Sequence, residues 1–91
     1  MKKFDAATMV GMPLEHLAKA LLADLVEEKA WDMKNYFQRH QAAWNDDHQS
    51  LAAMSEAFSW LVTHGYVAPA MWQLGCYFVT RAGRAALAAH P

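Results

Sequence analysis

The most constraining feature of this 91-residue sequence is a change of hydrophobic period at Gly65. Before Gly65, apolar residues recur every three or four positions, which is the spacing of one face of an α-helix. After Gly65, short runs rich in aromatic and β-branched residues favour β-strands. The chain is therefore predicted to be mainly α, with three helices, a small β-hairpin and a short closing helix.

Three helices are predicted before Gly65. The first covers about residues 13–29, with Pro13 in its first turn, where a missing N–H costs nothing. A second begins after a break near residues 30–32, where Asp32 can cap it, and one long helix through the break is the alternative. The third runs from about His48 to His64 and ends at Gly65. The first helix has an apolar stripe of Leu14, Leu17, Ala18, Leu21, Leu22 and Leu25. The second has a helical repeat of Met33, Tyr36, Phe37, His40 and Trp44, and the predicted core face of the third is Leu51, Met54, Phe58, Leu61 and Val62.

The hairpin and the last helix follow Gly65. The predicted strands are Tyr66-Val67 and residues 76–80, joined by a hairpin loop over residues 68–75. Thr80 is placed to cap a helix over residues 81–89. Asn45-Asp46-Asp47 is a predicted turn or cap cluster. A chain of this length makes one domain, predicted over residues 13–91 and preceded by an N-terminal arm of residues 1–12.

Two sequence motifs resemble those of the winged helix-turn-helix superfamily. They are Phe58-x-x-Leu61-x-x-x-Gly65-Tyr66-Val67 and Val79-Thr80-x-x-Gly83-Arg84-x-x-Leu87, within about residues 51–88. The matching positions build the scaffold rather than a site. The resemblance implies a winged-helix-like fold, with the third helix in the recognition-helix position and residues 68–75 at the wing tip. In DNA-binding members these two elements contact the DNA.

The charge pattern departs from that of a DNA-binding protein. No Lys or Arg occurs from residue 40 to residue 80, and the formal net charge is −1. Phosphate contacts come largely from Lys and Arg, so the third helix and the hairpin are poor DNA contacts. In a DNA complex, the fixed positive charge would have to come from outside residues 40–80. The predicted DNA contacts are therefore Gln49 on the third helix together with Lys34, Arg39, Arg81 and Arg84.

Surplus Trp and Met point instead to a protein partner. Four Trp and six Met exceed what a core this small needs, and both residue types are enriched at interfaces. Trp31 and Trp44 flank the second helix and are expected to be structural. The predicted interface residues are Trp60, His64, Met71 and Trp72. We expect a non-catalytic protein-interaction module that docks onto a partner protein or a second copy, and the alternative is a DNA-binding transcriptional regulator.

No sequence motif indicates catalysis, a cofactor or a metal. The five His residues show no metal-ligand spacing within one motif. Cys76 stands in an apolar, strand-like run and is expected to be a buried small hydrophobe. A nucleophilic thiol would need a nearby base and an electropositive setting, and neither is visible. We therefore expect no enzyme activity.

The sequence also indicates the cellular compartment in which the protein is expected. A single cysteine excludes an intramolecular disulfide and fits a reducing environment. No apolar stretch is long enough for a transmembrane helix. Asp5, Gly11 and Pro13 interrupt the apolar segment that a signal peptide needs after Lys2 and Lys3. A cytoplasmic protein without a membrane partner is expected.

Overall fold

A computed structural model describes residues 10–41 and 48–89. Its elements are helices α1 (Leu14–Glu28), α2 (Met33–Gln41) and α3 (His48–Thr63), strands β1 (Val67–Pro69) and β2 (Tyr77–Val79), and helix α4 (Arg81–Ala89). The predicted class, mainly α with a small β-hairpin, is confirmed, and the order of elements is compatible with a winged-helix scaffold. Within the described ranges, no helix is long and apolar enough to span a membrane.

Some predicted features lie outside the described residues. They are most of the N-terminal arm, Trp44, the cluster Asn45-Asp46-Asp47 and the side chain of His40.

Helix α1 forms the centre of the core. Pro13 immediately precedes it, and the Pro13 carbonyl accepts the N–H of Leu17 at 3.0 Å. Leu14 is half-buried, and the rest of the predicted apolar stripe is buried, because the spacing of three and four residues places it on one face. α1 packs most extensively against α3. The buried stripe is Leu17, Ala18, Leu21, Leu22 and Leu25.

A sharp break separates α1 from α2, so the two-helix prediction is confirmed and the single long helix is wrong. Lys29 ends α1 in the left-handed region, with φ 55° and ψ 37°. The N–H of Lys29 bonds to the Val26 carbonyl, and the N–H of Ala30 to the Leu25 carbonyl. This bonding pattern is the Schellman motif. Asp32 then caps α2, as predicted, by accepting the N–H of Asn35 at 3.2 Å.

The core face of α3 differs in part from the predicted one. Met54 and Leu61 are buried as predicted, but Val62 is 38% exposed, so its predicted core position is wrong. Ser50 and Ala57 are fully buried instead. The buried line Ser50, Met54, Ala57, Leu61 follows the helical repeat, and Val62 is turned about 100° from Leu61 toward solvent. Small side chains at two buried positions also let a neighbouring helix pack closely.

The hairpin has the predicted position but shorter strands. Val67 pairs with Val79, Ala68 with Phe78 and Pro69 with Tyr77. The loop between the strands therefore spans residues 70–76, and we refer to it as the hairpin loop. Pro69 can occupy β1 because the sheet has two strands and each has a free edge.

Thr80 and Gly83 attach α4 to the end of α3. The Thr80 hydroxyl donates to the Gly65 carbonyl at 2.6 Å and accepts the N–H of Gly83 at 3.0 Å, which confirms the predicted cap. A Cβ at position 83 would overlap the Tyr66 carbonyl oxygen and lie 3.0 Å from Val79 Cγ1. Glycine is therefore required where α4 crosses the start of the hairpin.

A buried hydrogen bond joins α1 to α2. The Tyr36 hydroxyl donates to Oδ2 of Asp24 at 2.6 Å, and both residues are almost fully buried. Burial and this hydrogen bond raise the pKa of Tyr36 far above its usual range, so the phenol remains a donor. The burial of Asp24 was not predicted from the sequence, because an acidic residue next to an apolar stripe usually faces solvent.

We expect Tyr36→Phe to lower the free energy of unfolding by about 1.5–3 kcal/mol, the range for a hydrogen bond to a charged group. The reason is that the substitution removes the Tyr36 donor from the buried Asp24 side chain. Urea titration followed by circular dichroism measures the change. Tyr77→Phe is the control, because the Tyr77 hydroxyl makes no hydrogen bond with a described residue. Equal stability of the two variants would contradict the assigned role of the bond.

Candidate functional site

The hairpin loop exposes large apolar side chains. Met71 is 96% exposed, Trp72 74% and Leu74 100%. The loop is nevertheless closed at its base, where the N–H of Ala70 donates to the Cys76 carbonyl at 2.8 Å. Three large apolar side chains are thus exposed within four residues, a concentration of exposed apolar surface that is typical of an interaction site.

Main-chain hydrogen bonds tie this hairpin to the segment between α1 and α2. The N–H of Tyr77 donates to the Trp31 carbonyl at 2.7 Å, and the N–H of Met33 donates to the Gly75 carbonyl at 3.0 Å. Asp32 and Cys76 form an antiparallel bridge between them. The pairing places Trp31 beside the second strand of the hairpin.

Three exposed aromatic rings meet at this junction. Trp31 lies nearly parallel to Phe78, with ring centroids 6.0 Å apart and an interplanar angle of 5°. Trp72 lies on Phe78 with centroids 5.7 Å apart and a tilt of 38°. Trp31 is 45% exposed and Phe78 40%. The cluster joins the hairpin loop to the end of α1 through Phe78.

These rings form one wall of a groove with a volume of about 460 Å³. Two of its lining residues carry a charge, and both are positive: Lys29 at the end of α1 and Arg84 on α4. Neither side chain has an ion-pair or hydrogen-bond partner among the described residues. We call this the aromatic groove. Its lining residues are Leu25, Val26, Lys29, Ala30, Trp31, Trp72, Phe78, Val79 and Arg84.

The predicted interface residues fall into two separate pairs. Met71 and Trp72 lie on the hairpin loop, whereas Trp60 and His64 lie at the end of α3. Trp60 is half-buried and stacks on His64 with centroids 3.8 Å apart, and its edge meets the Tyr66 ring at 5.8 Å. Much of the Trp60 surface is therefore already used within the chain.

The outer surface of α3 is neutral to acidic. A shallow depression there is lined by Val10, Gln49, Ala52, Ala53 and Glu56, and Glu56 is its only charged lining residue. Of the predicted DNA contacts, Gln49 belongs to this lining. A carboxylate at this position repels phosphate.

The predicted basic contacts lie elsewhere in the described part. Arg39 pairs with Glu28 at 3.3 Å, and its guanidinium lies 5.8 Å from the centre of the Tyr36 ring. Lys34 is exposed on α2, and Arg81 and Arg84 are exposed on α4. Arg84 faces the aromatic groove rather than the depression on α3.

Cys76 is the last residue of the hairpin loop and is 2% exposed, as predicted for a small buried hydrophobe. Burial raises the pKa of the Cys76 thiol, and the nearby Asp32 carboxylate raises it further. Both effects disfavour the thiolate, which is the nucleophilic form. Among the described residues, no group of three His, Cys, Asp or Glu side chains could hold a metal ion.

Of the aromatic and charged residues that line the aromatic groove, Lys29, Trp31 and Phe78 were not predicted as site residues. Trp31 was expected to be structural, but nearly half of its surface is exposed. The exposure of Phe78 could have been predicted. Side chains alternate between the two faces of a strand, so Phe78 lies on the opposite face from Tyr77 and Val79. No sequence signal brings Lys29 next to Arg84, since 55 positions separate them.

Comparison with known proteins found no relative, since no protein family, curated protein or solved structure matches the chain.

We expect the native Cys76 thiol to react with an aromatic disulfide reagent many times more slowly than the unfolded chain does. Burial limits access and the raised pKa lowers the thiolate fraction. The release of the coloured thiolate, followed with and without urea at neutral pH, measures both rates. Equal rates would contradict the burial, and a faster native rate would indicate an activated cysteine.

Proposed function

We propose that this chain is a non-catalytic, cytoplasmic protein-interaction module on a winged-helix-like scaffold. It docks the apolar surface of its hairpin loop onto a partner protein or a second copy of itself. The observation that carries this proposal is the near-complete exposure of Met71, Trp72 and Leu74. The order of helices and hairpin is compatible with the scaffold, and the two sequence motifs of the superfamily support it.

The energetics favour covering this surface. Burying a large apolar side chain contributes about 1.5–3 kcal/mol relative to leaving it exposed. Trp is also the residue type most enriched among those that dominate binding energy. The base of the loop is held by the Ala70–Cys76 hydrogen bond, so less conformational entropy is lost on binding than with a free loop.

The second predicted pair, Trp60 and His64, has a lesser part in this proposal. The two rings stack on each other, and Trp60 also packs against the core. They can extend the interface along α3, but they leave less apolar surface for a partner than the loop does. We therefore place the centre of the interface at Trp72.

Site-specific photo-crosslinking in the source cell tests the docking surface. A photoreactive amino acid replaces exposed Met71, and the matched control replaces exposed Ser59 on α3. We expect a discrete crosslinked species, either a partner protein or a dimer of this chain, from position 71 and a much weaker one from position 59. Crosslinks from position 59 alone would overturn the assignment of the loop as the interface.

We expect Trp72→Ala combined with Leu74→Ser to reduce the yield of that crosslinked species by about tenfold or more, because a central Trp contributes at least about 2 kcal/mol to binding. The free energy of unfolding should change little, since both side chains are exposed. Val62→Ser is the control, because Val62 is an exposed apolar residue on α3 and does not belong to the loop. An unchanged yield would contradict the docking role of the loop.

A DNA-binding regulator remains the second candidate, because the two motifs of the winged-helix superfamily support it. It is the weaker candidate. The depression on α3, which would face DNA if α3 were a recognition helix, is lined by Glu56 and by no basic residue. Arg81, Arg84 and Lys34 would have to supply the phosphate contacts from α4 and α2.

We expect fluorescence anisotropy titration with mixed-sequence duplex DNA to show no saturable binding at low ionic strength. The electrostatic part of the affinity is largest there, so the condition favours DNA binding as strongly as possible. Saturable binding that weakens in Arg81→Gln would favour the regulator, and Lys19→Gln on α1 is the control.

A further inference from the structure

We infer that the aromatic groove binds a short acidic segment of a partner protein. An apolar side chain of that segment enters the groove, and a neighbouring carboxylate contacts Lys29 and Arg84. This inference rests on the proposed function, because it names the chemistry of the partner that docks beside the hairpin loop.

The size and lining of the groove fit an apolar side chain. Its volume of about 460 Å³ lies within the range of small ligand pockets, roughly 300–1,000 Å³. Aliphatic side chains from α1 and β2 line it, and Trp31, Phe78 and Trp72 supply aromatic surface. Trp72 belongs both to this groove and to the exposed patch of the loop, so a docked partner would contact the two together.

The charge of the groove selects an anion beside the apolar group. Lys29 and Arg84 are its charged lining residues, and neither is neutralised by a described side chain. A cation next to an apolar wall is less solvated than one in open water, which strengthens its attraction to a carboxylate. Arg84 can also bind both carboxylate oxygens at once.

The backbone at Lys29 provides an independent argument. Helices α1 and α3 end in the same pattern of main-chain hydrogen bonds. The left-handed position is Gly65 in α3, with φ 72°, and Lys29 in α1, with φ 55°. Glycine is the favoured residue there, because a side chain strains this conformation. A lysine in a strained position on the rim of a groove is consistent with a binding role.

The surroundings of the groove favour a short acidic segment over a nucleic acid. Lys29 and Trp31 also line an adjoining depression, which contains Asp32 and the ion pair between Glu28 and Arg39. Beyond Lys29, a polyanion would therefore meet a carboxylate and a neutralised pair, which together carry a net negative charge. A segment with one or two carboxylates can contact Lys29 and Arg84 without reaching them.

Selection from a random dodecapeptide display library tests the inference. Immobilised wild-type protein is the bait, and the enriched peptides are then synthesised with a fluorescent label and titrated. We expect enriched peptides to carry Asp or Glu close to Phe, Trp or Leu. Replacing their acids with Asn or Gln should weaken binding, and raising the salt concentration should do the same.

Variants of the protein locate the binding site. We expect Lys29→Gly and Arg84→Gln each to weaken the selected peptides about two- to fivefold, the effect of one partly exposed charge pair. The double variant should lose about tenfold or more. Arg81→Gln is the matched control, because Arg81 is exposed on the same helix and does not line the groove. Lys29→Gly introduces at the end of α1 the residue type that ends α3, so the Tm of this variant should equal or exceed that of the wild type. A loss of binding in this variant therefore cannot be attributed to unfolding.

The outcomes separate this inference from the proposed function. Peptides that require Trp72 but show no acidic preference and no dependence on Lys29 or Arg84 would overturn the inference and leave the docking loop in place. A selection with no peptide dependent on Trp72 would count against both. Tighter binding of single-stranded oligothymidylate than of any selected peptide would overturn the acidic-segment assignment in favour of a nucleic acid.

Discussion

The pairing between residues 31–33 and 75–77 determines the architecture of the candidate site. It consists of the Asp32–Cys76 bridge and the hydrogen bonds Tyr77 to Trp31 and Met33 to Gly75. In this pairing, main-chain groups of residues 31–33 form hydrogen bonds with the hairpin instead of helical ones, which separates α1 from α2. It also places Trp31 next to Phe78 and buries Cys76 at the end of the hairpin loop. Without this pairing, the hairpin would be a two-stranded ribbon with no fixed orientation to α1, and such ribbons are at most marginally stable.

Most of the fold could be predicted from the sequence, because local chemistry determines it. The helical spacing of apolar residues predicted α1. The two helix caps were predicted at Asp32 and Thr80, and the end of α3 was predicted at Gly65. The orientation of α3 could not be predicted as well. Ser50 and Ala57 were not among the predicted core positions, yet both are buried and Val62 is not, because close helix packing depends on the partner helix.

The candidate site was predicted only in part, for a related reason. Met71 and Trp72 stand in a loop with Pro69 and Gly75 at its ends, so their exposure follows from composition and local structure. The groove depends on contacts between segments far apart in the chain. Lys29 and Arg84 line one groove only because α4 packs against α1, and Gly83 permits the close approach of α4 to Tyr66 by having no side chain.

The distribution of charge supports the proposed protein partner over DNA. On α3, the surface that the winged-helix resemblance assigns to the recognition helix carries Glu56. Lys29 and Arg84, which have no ion-pair partner among the described residues, instead line the groove with Trp31, Phe78 and Trp72, where apolar surface is concentrated. Two cations are too few for a polyanion with one charge per residue, but they complement a peptide that has an apolar side chain and a carboxylate. Charge and apolar surface thus coincide at the base of the hairpin, and this coincidence distinguishes the aromatic groove from the rest of the described surface.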